Sequence, residues 1–144
     1  MLVRCLYASR AREPGNSEAL TSILAKSRSQ NVLIGVTGIL CVADSVFIQL
    51  LEGGRDEVSE LYNRIARDPR HENVRLLIYG EIQHRQFAQW SMGAVDVAGL
   101  NAGLLLKYYR RAHLDPFDAP GGATLSLLLE LVESGAIAGR GDPA

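Results

Sequence analysis

The chain has 144 residues, of which 47% are hydrophobic and 22% charged, and its formal net charge is −1. This length and composition predict one globular domain with some extra chain, and the near-neutral charge argues against direct binding to nucleic acid. No apolar run reaches the roughly 20 residues that cross a bilayer, and no secretory leader opens the sequence, so we expect a cytoplasmic protein without a membrane partner.

The first predicted strand covers Leu2 to Ser9, and because both of its faces are largely apolar we expect an inner position in a sheet. A loop at residues 10–16 follows, and then a helix that Asn16 or Ser17 can cap. The helix should end near residues 28–30, and its buried face follows helical spacing. That face comprises Leu20, Ile23, Leu24 and Ser27.

A hairpin is predicted where Ala43-Asp44-Ser45 joins a strand at 36–43 to a strand at 46–53. In the later strand Phe47, Gln49 and Leu51 share one face, which sets a primary amide between two apolar side chains. An unpaired buried amide costs roughly 1–3 kcal/mol. Gln49 therefore binds neighbouring backbone, faces water or has a specific partner, and the strand alone leaves these alternatives open.

A second helix follows, and it should stop at Asp68-Pro69 because proline disfavours helical geometry in the preceding residue. Two more strands are predicted, at 74–82 and 91–97. The order βαββαββ predicts an α+β, ferredoxin-like fold, with both helices on one face of a largely antiparallel sheet and the first and third strands adjacent in its middle. Tyr7 and Gln49 would then lie on neighbouring strands, where phenol and amide can meet.

Two further helices are predicted beyond residue 97, the first of them over residues 100–111. Their apolar stripes are Leu104, Leu105 and Tyr108 in the first, and Leu125, Leu128, Leu129 and Val132 in the second. These helices would cover the free face of the sheet or pair with a second copy. The chain is thereby divided into a sheet domain at 1–97, a helical extension at 98–138 and a flexible tail at 139–144.

Residues with useful chemistry are few. Cys5 and Cys41 lie in apolar runs and are interpreted as reduced core thiols, and the three histidines lack the spacing of metal ligands. A ferredoxin-like acyl-phosphate hydrolase using Arg10 and Asn31 is one alternative function. A structural adaptor that binds a partner through its terminal helices is another.

Several segments together resemble the BLUF family, the sensors of blue light using flavin. They are Tyr7-Ala8-Ser9, Asn31, Gly35 to Leu40, Phe47 to Gly53, Asp68 to His71 and Arg85 to Gly93. Each segment is short, but all of them occur in the family's order across residues 1–97. The resemblance implies a photoreceptor and not a turnover enzyme.

The resemblance also implies a non-covalently bound flavin between the two helices, usually FAD, with FMN or riboflavin as alternatives. Asn31 would bind the pyrimidine edge of the ring, Gln49 its N5/O4 edge, and Tyr7 would bind Gln49. The implied rim residues are Arg64, Asp68, Arg70 and His71, and the residues implied to pack the ring are Ile23, Leu40, Phe47 and Ile65. Ser9 would belong to the photoactive set, and Trp90 and Met92 would compete for the place beside Gln49.

Under blue light, the resemblance implies that Tyr7 gives the excited flavin an electron and, through Gln49, a proton. Their return would leave the Gln49 amide in another tautomer or rotamer, with a small red shift of the absorption. The change would pass to the strand that carries Met92 and then to the terminal helices. A downstream regulator protein and a second copy of the chain are the expected protein partners.

Overall fold

A computed structural model describes residues 1–12, 17–97, 100–135 and 137–139. Its elements in chain order are β1 (Leu2–Ala11), α1 (Ser17–Ile34), β2 (Thr37–Ala43), β3 (Val46–Gly54), α2 (Arg55–Arg67), β4 (His71–Ile82), β5 (Gly93–Val95), α3 (Ala102–Tyr108), α4 (Gly121–Glu133) and β6 (Ile137–Gly139). A short 3-10 turn at Pro116–Asp118 precedes α4. Within these ranges, the helices are all too short or too polar to cross a membrane.

The strands form one sheet in the order β4-β1-β3-β2-β5-β6. β1 is antiparallel to both of its neighbours, β3 and β4, which confirms the predicted inner strand and its contact with the third strand. Asp44 and Ser45 have positive φ angles of 49° and 67°, the geometry that suits a two-residue hairpin between β2 and β3. In this register Tyr7 lies directly opposite Gln49.

Alternate side chains of the strands divide the core into two layers. On one side, here called the cleft face, Cys5, Tyr7 and Phe47 pack with Leu24 of α1 and Val58 of α2. On the other side, the closed face, the strand residues pack against α4. The closed face and its cover include Leu6, Ala8, Ile39, Ile48, Leu50, Leu127, Leu128 and Leu131. The predicted ferredoxin-like arrangement is confirmed, and of the two possible places for the terminal helices the structure shows the free face of the sheet.

Some boundaries differ from the prediction. α1 continues to Ile34, beyond the predicted end near residues 28–30, so Asn31 lies within the helix near its C-terminal end. Gly35, with a φ of 70°, ends the helix, and Val36 N donates to Asn31 O at 2.9 Å. The predicted cap at Asn16 lies outside the described residues.

The later strands differ as well. β4 begins at His71, three residues before the predicted start, and β5 has only the residues Gly93–Val95. β6 occupies residues that were assigned to the end of the extension and the start of the tail. Residues 140–144 of the predicted tail lie outside the described ranges.

In the terminal helices, the residues that are buried differ in part from those that helical spacing predicted. α4 buries Thr124, Leu127, Leu128 and Leu131 most deeply, and the predicted positions Leu125, Leu129 and Val132 are partly buried at its flanks. Because leucines surround much of this helix, their spacing alone does not select one face. α3 is also shorter than the predicted 100–111 segment. Cys5 and Cys41 are buried free thiols on opposite faces of the sheet.

Candidate functional site

A cleft of about 400 Å³ opens between α1, α2 and the cleft face of the sheet. Tyr7 and Gln49 contribute to its wall from the two central strands. The predicted cofactor contacts all line it: Ile23, Asn31, Leu40, Phe47, Gln49, Arg64, Ile65, Asp68, Arg70 and His71. A cavity of this size, with apolar walls and a few convergent polar groups, is typical of small-molecule sites.

Further lining residues were missed in the sequence. They are Lys26, Ser27, Gln30, Leu61, Arg67 and Pro69. A signal for most of them was present, because Lys26, Ser27 and Gln30 follow Ile23 at intervals of three, four and seven residues and so share its side of α1. The same spacing joins Leu61 to the predicted Arg64 and Ile65 on α2.

A chain of buried hydrogen bonds runs along the sheet side of the cleft. The Tyr7 hydroxyl donates to Gln49 Oε1, and Gln49 Nε2 donates to Met92 Sδ at 3.4 Å. Tyr7 is 1%, Gln49 4% and Met92 0% exposed. Of the alternatives for Gln49, the structure therefore shows specific side-chain partners, and the amide is oriented by a donor on one side and an acceptor on the other.

Burial controls the protonation of the phenol. The pKa of Tyr7 is raised, first because burial keeps water from solvating the charged phenolate, and then by the electrostatic effect of the nearby Cys5. The neutral phenol keeps its hydrogen, which is the hydrogen that Gln49 Oε1 accepts. Tyr62 packs edge-on against the Tyr7 ring, with centroids 5.8 Å apart.

Trp90 and Met92 are separated by the sheet. The Trp90 ring lies on the closed face, where it stacks on Phe87 with centroids 5.9 Å apart, whereas Met92 lies on the cleft face. The structure thus places Met92 beside Gln49 and does not bring Trp90 there. The sequence could not distinguish them, because both residues lie where the chain crosses from one face to the other.

The side chain of Asn31 links α1 to the chain that precedes β5. Its Nδ2 donates to Ser91 O at 3.0 Å, and the residue is 2% exposed. This bond uses one of the two amide hydrogens, so the side chain retains both donor and acceptor capacity at the cleft wall. Such a carboxamide suits a ring edge that carries an N–H and a carbonyl.

Ser9 reaches the cleft through His71. Ser9 Oγ lies 2.7 Å from His71 Nδ1, and the imidazole packs against the Phe47 ring with centroids 5.0 Å apart. Burial lowers the pKa of His71, which favours the neutral ring at pH 7. Since Nδ1 is engaged by the hydroxyl, Nε2 is the ring nitrogen left for a bound molecule.

Asp68 and Arg70 form a hydrogen-bonded ion pair at the rim of the cleft. Arg70 Nη2 lies 2.6 Å from Asp68 Oδ2, and Arg70 N donates to Asp68 Oδ1 at 2.9 Å. These bonds lower the pKa of Asp68 to about 2 and raise the pKa of Arg70. Arg64 and Arg67 add positive charge to the same mouth, so a polar, cationic rim surrounds a more apolar interior.

The alternative hydrolase site is not supported. Arg10 points to the closed face, where its guanidinium lies 4.5 Å from the centroid of the Phe117 ring. Asn31 lines the cleft on the opposite side of the sheet. In the part of the chain that the structure describes, no three His, Cys, Asp or Glu residues are grouped as a metal site.

The cleft lies within a region that matches a known family. A family model described as "Sensors of blue-light using FAD" (BLUF) matches residues 2–93. The "Blue light- and temperature-regulated antirepressor BluF" of Escherichia coli (strain K12) is 32% identical over 97 residues, which are 67% of this chain and 24% of that protein. The "Photoactivated adenylate cyclase subunit beta" of Euglena longa is 33% identical over 92 residues, which are 63% of this chain and 11% of that protein.

Solved structures extend the similarity to nearly the whole chain. "BlsA photo-activated state" has a TM-score of 0.82 and 31% identity, covering 92% of this chain and 95% of that one. "BlrB - a BLUF protein, dark state structure" has a TM-score of 0.77 and 28% identity, covering 93% and 96%. The chain thus spans about the length of these two structures but only a small part of the cyclase and antirepressor relatives.

Proposed function

The chain belongs to the family of blue-light sensors that use FAD, and from this we propose that it is a light receptor whose switch is the hydrogen-bonded pair Tyr7–Gln49. The observation that carries the proposal is the buried bond from the phenol to the amide at the wall of the cleft. A receptor of this kind consumes no substrate. Its product is a rearranged set of hydrogen bonds.

The residues of the cleft fit a flavin. Asn31 offers donor and acceptor groups to the pyrimidine edge of the ring, and Gln49 would face the N5/O4 edge. Apolar side chains would pack the ring: Ile23, Leu40, Phe47 and Ile65. The cationic rim, with Arg64 and Arg70, suits the phosphates of the cofactor tail, which favours FAD or FMN over riboflavin.

Bound FAD supplies a chromophore that blue light converts into a strong oxidant. Tyr7 is placed to release an electron together with its phenol proton, because that proton already points to Gln49 Oε1. Gln49 can relay the proton, since its amide accepts on one side and donates on the other. After electron and proton have returned to Tyr7, the Gln49 amide remains rotated or tautomerised, with a donor toward the cleft.

The rearranged amide changes the contact with Met92. In the structure, Met92 Sδ accepts from Gln49 Nε2. A rotated amide would turn its oxygen toward the sulfur and lose this bond, and a tautomerised one would have a single N–H left to share between Met92 and its other neighbours. Met92 directly precedes β5, which pairs with β2 and β6 and contacts α4. We propose that this path carries the signal to a downstream regulator protein, with a homo-oligomer as the signalling form; the E. coli relative is named as an antirepressor.

The test is a light-minus-dark absorption spectrum of the purified chain reconstituted with FAD. We expect a yellow protein whose blue band shifts to the red under blue light and returns in the dark. Free FAD in the same buffer is the control. A protein that binds no flavin, or one that binds it and gives a flat difference spectrum, contradicts the proposal.

A further inference from the structure

Glu52 is a buried carboxylate that the proposed switch does not use. It lies three residues after Gln49 on β3, points to the closed face and is 0% exposed. A charged group that is removed from water is strongly destabilising unless it is paired and hydrogen-bonded. Its partners therefore indicate what it holds in place.

Each oxygen of Glu52 binds a different part of the chain. Oε2 accepts from Arg4 on the adjacent strand β1, from Nε at 3.2 Å and from Nη2 at 2.9 Å. Oε1 accepts from the backbone N–H groups of Gln86 and Phe87, both at 2.9 Å. Arg85 strengthens the second attachment by donating to Glu52 O at 3.2 Å. The side chain thus ties the central strands to the segment that follows β4.

That segment, residues 86–92, leads to the switch. The Phe87 ring stacks on Trp90, and Trp90 O accepts from Gly38 N at 3.1 Å. The segment ends at Met92, whose sulfur accepts from Gln49. It therefore begins at Glu52 on the closed face and ends at Gln49 on the cleft face, so two residues of the same strand hold its two ends.

We propose that Glu52 is a positioning residue of the light switch, holding residues 86–92 in the place where Met92 meets Gln49. This inference rests on the proposed function. When the Gln49 amide turns beside Met92, the segment must yield, and an attachment at Glu52 resists that movement. The carboxylate thereby sets the dark position of Met92 and favours the return of the network to it after illumination.

The chain offers two unambiguous reporters for this claim. It has one tryptophan, Trp90, and its two methionines are Met1 and Met92. The indole N–H of Trp90 and the ¹³C-labelled methyl group of Met92 can therefore be followed by NMR as reporters at two positions of the segment. Met1 is 71% exposed, so its methyl signal serves as an internal reference.

The experiment compares Glu52→Gln with wild type and with Glu81→Gln, which removes an exposed carboxylate paired with Arg55. A glutamine has one acceptor oxygen, so either Arg4 or the segment loses its partner. We expect shifted Trp90 and Met92 signals in the dark. FAD affinity should stay within about twofold, because Glu52 lies on the other face from the cleft. The dark return should be slower by about threefold or more, the effect on a barrier of one hydrogen bond that no longer draws the segment back.

Unchanged Trp90 and Met92 signals, or a dark return as fast as in Glu81→Gln or faster, would overturn the inference. The NMR comparison needs no photochemistry, so it remains decisive even if wild type shows no red shift and the proposed function fails. Should Glu52→Gln not fold, hydrogen exchange of the wild type replaces it. We expect the Gln86 and Phe87 amides to exchange at least about tenfold more slowly than those of exposed Ala88 and Gln89, and equal rates would refute the attachment.

Discussion

The two faces of the sheet use the same strands for opposite purposes. On the closed face, Leu6, Ile48 and Leu50 are sealed under α4, and the layer gains stability from apolar burial. On the cleft face, Tyr7 and Gln49 are equally buried but polar, and they remain tolerable because they bind each other. The alternation of a β-strand thus lets one chain segment build a rigid support and a rearrangeable hydrogen-bond network back to back.

The largest effect is expected from a substitution that breaks the hydrogen-bond network on the cleft face. Gln49→Leu keeps the size of the side chain but removes the donor and acceptor that join Tyr7 to the cleft. We expect FAD to remain bound and the light-induced red shift to disappear, as seen in absorption spectra. Gln83→Leu, at an exposed position, is the matched control and should keep the full shift. A full shift in Gln49→Leu would remove this residue from the switch.

Substitution of an apolar core residue on the closed face should change stability alone. Leu127→Ala leaves a cavity under the sheet, where Leu127 is 1% exposed, and should lower the free energy of unfolding by about 2–5 kcal/mol. The red shift of the folded protein should stay unchanged. Leu106→Ala, at a site 55% exposed, is the control in denaturant titrations. A stable Leu127→Ala variant with an altered red shift would show that the apolar core under α4 is not separate in function from the switch.

Asn31 tests the placement of the cofactor within the cleft. Asn31→Ala removes a buried amide that would bind the ring edge, and we expect FAD affinity to fall by about 1–3 kcal/mol, or roughly 5- to 150-fold. Fluorescence titration with FAD measures this loss. Asn63→Ala on the exposed side of α2 should bind like wild type. Unchanged affinity in Asn31→Ala would mean that the ring lies elsewhere.

The smallest effect concerns the rim. Arg70 lowers the pKa of Asp68 to about 2, so the folded state favours the charged carboxylate; this stabilisation is complete above about pH 4 and is lost as the pH falls toward 2. Asp68→Asn should therefore lower the free energy of unfolding by about 0.5–1 kcal/mol at pH 7. It should also make that free energy less dependent on pH between pH 4 and 2. Urea unfolding across this range measures it, and an equally steep profile in the variant would exclude the pair as its cause.

Strand alternation made the centre of the site predictable from sequence. The order of elements placed the first and third strands together, and the polar residues in their apolar runs then selected Tyr7 and Gln49 as partners. The resemblance to the family supplied the rim residues, and the structure places them around one cleft. Their roles toward flavin remain predictions.

Other features depend on contacts that sequence spacing does not encode. The choice of Met92 over Trp90 depends on where residues 86–92 cross the sheet, and that is fixed by long-range bonds to Glu52 and Asn31. Glu52, two residues before the end of β3, was not identified from the sequence as a buried, paired carboxylate. The buried side of α4 was predicted only in part, with Leu128 but without Leu127 and Leu131, because apolar residues surround much of that helix and only packing against the sheet selects a face.

The central claim is that light rearranges the amide of Gln49, and infrared difference spectroscopy observes that group directly. Light-minus-dark spectra would be recorded for the FAD-bound protein with and without ¹³C-labelled glutamine side chains, and for Gln49→Leu as control. We predict glutamine carbonyl bands that move with the label and are absent from Gln49→Leu. A red-shifted protein whose infrared difference spectrum is insensitive to the glutamine label would contradict the claim.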